Sequence, residues 1–192
     1  MIFQIIALVI MLAFYGCYFS KLFLQRRQGV RTDQLGRGKT GFVRFVEVSL
    51  KITARAVPAA ELAAILLYRG NVPEWLRALG ARLGGVGVII FLLSVTEMGD
   101  SWRAGVPEGE RTALVTSGIY RVSRNPAFLA FDLVYVGILC MFFTWWLCII
   151  TVLCVVMLHL QIVNVEEPFL VDTFGEEYLS YRKKVCRYIG RR

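Results

Sequence analysis

The stretch "LVTSGIYRVSRNPAFLAFDLVYVGI", Leu114 to Ile138, decides how this chain is read. It opens polar and basic, passes through Asn125-Pro126, and turns apolar. Asn is a favoured residue at the position before a helix, and Pro is favoured at the first helical position, where its missing N–H is not needed. The pair therefore predicts a helix that starts at the edge of an apolar layer. Its free amides and partial positive charge would face a polar loop carrying Arg121 and Arg124. Such a helix start suits an anion, for example a carboxylate.

The rest of the sequence agrees with an apolar layer. Of 192 residues, 57% are hydrophobic and 19% charged, whereas soluble domains sit near half apolar and about a quarter charged. The apolar residues come in blocks long enough to cross a bilayer. The prediction is an all-α, polytopic membrane protein with about five spans. Residues 1–23 read as a retained first span and not a signal peptide, because the basic residues Lys21, Arg26 and Arg27 follow the apolar run. Span 2 covers about 42–68, span 3 about 81–98, and spans 4 and 5, about 127–143 and 145–165, form a tight antiparallel hairpin. A charged amphipathic tail, Glu166 to Arg192, closes the chain. Residues 1–99 thus carry spans 1 to 3. Residues 100–192 carry a polar loop, the hairpin and the tail, all within one integrated domain.

Two features qualify that layout. Arg44, Glu47, Lys51 and Arg55 are spaced three and four apart, so one face of span 2 carries alternating charge. That face must meet protein, a wet cavity or the interface, not lipid. Gly80, Gly84 and Gly87 give span 3 the small-residue spacing of close helix contacts.

The net charge of +8 points to cytoplasmic loops and anionic lipid, not nucleic acid. Seven Lys and Arg lie in 21–44, four in 100–125 and six in the tail, against three between spans 2 and 3. Five spans with the N-terminus outside put the seventeen on one side, which the positive-inside rule makes cytoplasmic. The five cysteines have no metal spacing, and no metal site is expected.

On that same face Glu166-Glu167 sit where span 5 ends. Opposite an anion-binding helix start, an acidic pair suits a zwitterion such as an amino-acid head group. His159, the single histidine, lies seven residues before Glu166, on about the same helical face. Histidines in spans are more often bundle hydrogen-bonders than bases, and both readings stand. Arg103, in the polar loop, reads as an interface marker.

"TALVTSGIYRVSRNPAFLA" and "VEEPFLVDTFGEEYLSYRKKVCR" together resemble the membrane-embedded isoprenylcysteine carboxyl methyltransferase and phospholipid methyltransferase group. The matching positions are Leu114-Val115, Gly118, Tyr120, Arg124, Pro126, Glu166-Glu167, Phe174-Gly175, Tyr178 and Tyr181, over about residues 100–190. Asn125 stands where that family has histidine, Phe128 replaces a tyrosine, Ala130 a glycine and Cys186 a proline. The resemblance implies S-adenosylmethionine as methyl donor. It assigns Leu114, Val115, Gly118, Tyr120, Asn125, Pro126, Phe128, Glu166, Glu167 and Tyr178 to the cofactor site. Glu167, Arg124 and His159 are the candidate catalytic residues.

Methyl transfer from a sulfonium is an in-line displacement that depends on positioning and on exclusion of water. A carboxylate acceptor needs no base, whereas a protonated amine must first lose a proton. The implied activity is methylation of a lipophilic acceptor, most like an isoprenylcysteine carboxylate, presented as a small molecule or a lipidated peptide that enters from the bilayer. The alternatives are a phospholipid amine, a nicotinamide-dependent membrane reductase of the steroid reductase type, and a non-catalytic scaffold.

Overall fold

The computed structural model of the chain describes residues 1–27, 35–36, 39–102 and 113–191, with residue 100 described only in its backbone. Arg103 lies outside the described residues. Among them there is no strand, only one antiparallel bridge between Val185 and Arg191. The helices are α1 (Ile2–Arg27), α2 (Gly41–Leu67), α3 (Glu74–Met98), α4 (Pro126–Met141), α5 (Trp145–Gln161) and α6 (Glu167–Lys184). A 3₁₀ turn, Gly118–Arg121, precedes α4, and a π-helical turn, Ile162–Glu166, joins α5 to α6.

Three segments are long and apolar enough to cross a membrane: α1, α3 and the continuous rod Trp145–Lys184. α4 is apolar but shorter, and α2 carries too many charges to qualify. The protein is therefore an integral membrane protein, nearly all helical.

The packing differs from a simple hairpin. α4 and α5 are joined by three residues, yet α4 packs mainly on α3 and α5 mainly on α2. Glycines hold α3 against α4. A Cβ on Gly137 would lie 2.6 Å from the Gly80 carbonyl oxygen and 2.7 Å from the Gly84 nitrogen. A Cβ on Gly87 would meet the Val134 side chain at 2.8 Å. The two backbones touch, which is how membrane helices gain contact without a hydrophobic drive. Gly137→Val should wedge the pair apart at a cost of about 1–3 kcal/mol, read as a lower unfolding temperature in detergent. Retention of the parental temperature would contradict this contact.

Because its two arms lean on different partners, the α4–α5 hairpin opens toward α1 and α2. The opening is walled by aromatic residues of α1 and α4, among them Phe131, which is in ring contact with Phe14 and Phe91 behind it. Pro58 lies inside α2. It cannot donate to the carbonyl one turn earlier, and both Ala54 and Pro58 face this opening. A smaller core of Tyr178, Tyr181 and Val185, with Leu114 and Phe174 packed on it, lies under the tail.

Candidate functional site

The start of α4 and the exit of α5 lie at the same end of the bundle and touch. Arg124, one residue before the helix cap, places Nη2 3.0 Å from Glu167 Oε1, and both side chains are 6% exposed. Its Nη1 donates to the Tyr178 hydroxyl at 2.7 Å. Glu167 also accepts two bonds from Arg187, from Nε at 2.8 Å and from Nη2 at 2.9 Å. This fork geometry is the strong form of the arginine–carboxylate pair. It raises the already high pKa of Arg187, so that guanidinium stays charged.

The tail reaches this point because Gly175 breaks the helix with φ 50°, a left-handed conformation that only glycine adopts cheaply. Beyond Lys184 the chain folds back over the α4 cap. Arg124 N–H donates to the Cys186 carbonyl at 3.1 Å, and Gly190 N–H donates to the Val122 carbonyl at 2.8 Å. The Tyr181 hydroxyl donates to the Tyr120 carbonyl at 2.6 Å. Burial pushes the Tyr120 phenol above its usual range.

Asn125 is at the cap position with Pro126 next to it, as the sequence indicates, but its side chain makes no cap bond. Instead its Nδ2 donates to the Arg187 carbonyl at 3.1 Å. The tail therefore covers the helix start that the sequence reading left open to an anion, and Asn125 and Pro126 are both buried beneath it.

Two cavities adjoin this clamp. The smaller, about 100 Å³, is lined among others by Leu114, Val115, Tyr120, Arg124, Glu166 and Tyr178, and by the apolar Phe169, Leu170 and Phe174. The larger, about 800 Å³, lies in the opening between α1, α2, α4 and α5. Its wall is mostly apolar and aromatic, including Tyr15, Phe128, Phe131 and Tyr135, but Arg26, Lys51 and Arg55 also face it. Glu166 belongs to the walls of both. Among the described residues a single carboxylate thus stands between the small cavity and the large one.

The expected cofactor residues separate accordingly. Leu114, Val115, Tyr120, Glu166 and Tyr178 line the small cavity, joined by Arg124. Phe128 lines the large one. Gly118, at φ 51°, packs on Glu97, whose carboxylate would meet any Cβ there. Glu167 is spent on the arginine clamp. His159 is exposed, outside both cavity walls, with Nδ1 2.7 Å from the Tyr188 hydroxyl and its ring stacked on that tyrosine. There it fastens the tail to α5.

Sequence reasoning missed Arg187, twenty residues after its partner Glu167. It also missed Glu61, wholly buried in α2, which accepts a bond from the Tyr15 hydroxyl at 2.9 Å. Neither pairing has a sequence period that would reveal it. Among the described residues no group of acidic, cysteine or histidine side chains could hold a metal.

No curated protein gives a significant match to the chain. A family model described as phospholipid methyltransferase matches residues 75–177, more than half of the sequence and all of the segment that builds the small cavity up to Glu177. The chain belongs to the phospholipid methyltransferase family, a family of membrane methyltransferases.

Proposed function

We propose that the protein is an S-adenosylmethionine-dependent methyltransferase whose donor binds at the small cavity and whose lipophilic acceptor occupies the large one. The observation that carries this reading is the meeting of the two cavities at Glu166. Methyl transfer needs both reactants in contact and water kept out, and two adjoining, mostly apolar chambers would serve that.

Leu114, Val115, Tyr120, Phe174 and Tyr178 would hold the donor's flat and apolar parts, and Glu166 would face its positive charge. The donor supplies a methyl group on a sulfonium. At about 100 Å³ the small cavity is below the usual size of ligand pockets, ~300–1,000 Å³. The small cavity therefore accounts for part of the donor. The chain's own work is to orient both reactants and keep the junction dry.

The acceptor would enter sideways from the bilayer. Arg26, Lys51 and Arg55 support an acceptor with an anionic group. The carboxylate of an isoprenylcysteine is one such acceptor. A phospholipid, with a phosphodiester as the anion and an amine as the methylated atom, is the other, and the family match supports it. Nothing in that match favours the nicotinamide-dependent reductase alternative. The same proposal includes five spans, with α2 and α4 completing the bundle, the N-terminus outside and the donor site cytoplasmic, as the lysine and arginine distribution suggests.

Leu114→Trp tests the donor site. Filling the small cavity should weaken binding of S-adenosylhomocysteine, measured by calorimetry in detergent, by at least about tenfold, or 1.4 kcal/mol. A folded parent protein that binds neither S-adenosylmethionine nor S-adenosylhomocysteine would overturn the reading.

A further inference from the structure

The last turn of the tail lies against the side of the bundle that faces lipid. Ile149, Val152 and Val156 are exposed on α5 and, spaced three and four apart, form one stripe along its outer face. His159 is exposed and continues that stripe by three residues. α5 belongs to a rod long and apolar enough to cross a membrane, so the stripe is the part of it that meets acyl chains. Tyr188 stacks on His159 with ring centroids 6.0 Å apart, and its hydroxyl lies 2.7 Å from the His159 Nδ1. The chain that passes the end of α5 at Gln161 therefore returns, by Tyr188, to the lipid-facing side of that helix's last turn.

What the tail exposes there is apolar and cationic. Ile189 is 65% exposed and Val122 47%. The bond from Gly190 N–H to the Val122 carbonyl, 2.8 Å, keeps these two side chains on neighbouring strands of chain. Arg121, Arg182, Lys183, Lys184 and Arg191, on the same two segments, are exposed. From residue 182 to residue 192 the sequence carries six basic side chains and no acid. A large apolar side chain among clustered cations, at the depth where acyl chains give way to headgroups, is complementary to an anionic lipid surface. A free phosphate would satisfy the charges but not the isoleucine.

The seat of the tail and the donor cavity share one segment of chain. The Val122 carbonyl accepts from Gly190, Arg124 N–H donates to the Cys186 carbonyl, and Asn125 Nδ2 donates to the Arg187 carbonyl. Tyr120 and Arg124, on that same segment, stand in the wall of the small cavity. So do Tyr178 and Tyr181, on the helix that leads into the tail. The Tyr181 hydroxyl, donating to the Tyr120 carbonyl, joins the two sides. A tail that lifts from the 122–125 segment loosens both.

We propose that residues 182–191 form a docking surface for anionic lipid headgroups, and that a tail seated on such lipid holds the donor cavity closed. The docking surface stands on the tail's own geometry; its hold on the cavity rests on the methyl-transfer reading above. Lipid that binds only the seated tail shifts the tail toward its seat. By reciprocity, a donor that needs the seated tail tightens the grip on lipid.

The experiment uses the full chain in nanodiscs of phosphatidylcholine alone or of phosphatidylcholine mixed with phosphatidylglycerol. Trypsin cleavage after Arg187 reports whether the tail is seated, and calorimetry with S-adenosylhomocysteine reports the cavity. Anionic discs should slow the cleavage and lower the Kd for S-adenosylhomocysteine, each by about fivefold or more. High salt should erase both differences, because it screens exposed charges. Lys183→Gln/Lys184→Gln should behave in anionic discs as the parent does in neutral ones, with its neutral-disc affinity unchanged. Ile189→Asn should weaken the protection while leaving every charge in place. Soluble glycerophosphate added to neutral discs should protect nothing.

Equal cleavage rates in the two discs, or protection undiminished by the double substitution, would refute the docking surface. Protection by glycerophosphate would assign the cations to a free anion and refute the lipid. Slower cleavage with the same donor affinity in both discs would refute the hold on the cavity alone. If no donor binds in either disc while cleavage still differs, the methyl-transfer reading falls and the docking surface stands.

Discussion

Glu167→Ala is expected to cost about 3–5 kcal/mol of stability, because it strands a buried guanidinium without its counter-charge. Arg124 and Glu167 are each 6% exposed in the side chain, so water cannot replace the lost partner. The tail would also lose its fork to Arg187. Arg187 itself is 30% exposed, and Arg187→Ala should cost much less, about 1 kcal/mol or below. Thermal unfolding in detergent measures both, and limited proteolysis between Lys184 and Arg192 reports whether the tail has lifted. Donor binding should fall with tail release in Glu167→Ala, since Tyr178 and Tyr181 form one side of the small cavity. Equal losses for the two variants would mean that burial of the Arg124 pair is not what stabilises the clamp.

This asymmetry separates two acids that sequence alone treats as a pair. Glu-Glu-Pro at the end of an apolar run reads as the place where a helix ends. In the structure the helix continues through Pro168, which falls at the start of α6 directly after the π-helical turn. The π-helical turn just before it gives the two carboxylates different neighbours. No local propensity signals that turn, so the roles of Glu166 and Glu167 could not be told apart from residue types.

Other parts were legible because local chemistry determines them. Asn125-Pro126 starts α4 where the sequence predicts, since cap preference and the fixed φ of proline are short-range effects. Gly80, Gly84 and Gly87 mark a close contact, and all three are buried in the helix contacts of α3. The sequence does not name their partners. Gly137 was not read as part of that contact, and the choice of α3 over α5 as the main partner of α4 depends on it. The charged face of span 2 illustrates the same limit. Spacing predicts that Arg44, Glu47, Lys51 and Arg55 avoid lipid; of the four, Arg44 is exposed on the surface. Lys51 and Arg55 face the large cavity, and Glu47 is buried, accepting a bond from the Gly36 amide at 2.7 Å. Whether such a face meets another chain or a cavity depends on where α5 leans, which is a long-range matter. The site residues divide on the same line. Leu114, Val115, Tyr120 and Tyr178 come together because the motif order brings them there. Asn125 and His159 are taken up by the tail, whose return over the α4 cap depends on a break at Gly175 and on a strand-like bridge of two residues, Val185 and Arg191.

Ala54→Trp is the reciprocal of the donor-site test and should abolish acceptor methylation while sparing donor binding. Ala54 lies in the wall of the large cavity beside Pro58, at the point where α2 has lost a backbone hydrogen bond and can bend to admit a larger group. An indole there occupies space that an acyl or prenyl chain needs. A displacement of the acceptor by an ångström from its line of attack costs about a hundredfold in rate, and exclusion from the cavity costs more. The small cavity has no wall on α2, so S-adenosylhomocysteine affinity should stay at the parental value. Together with Leu114→Trp, this gives two substitutions with opposite signatures: one removes donor binding, the other removes turnover of acceptor with donor binding intact. If Ala54→Trp weakens the donor as much as Leu114→Trp does, the two chambers act as one site, and the division of labour across Glu166 is wrong.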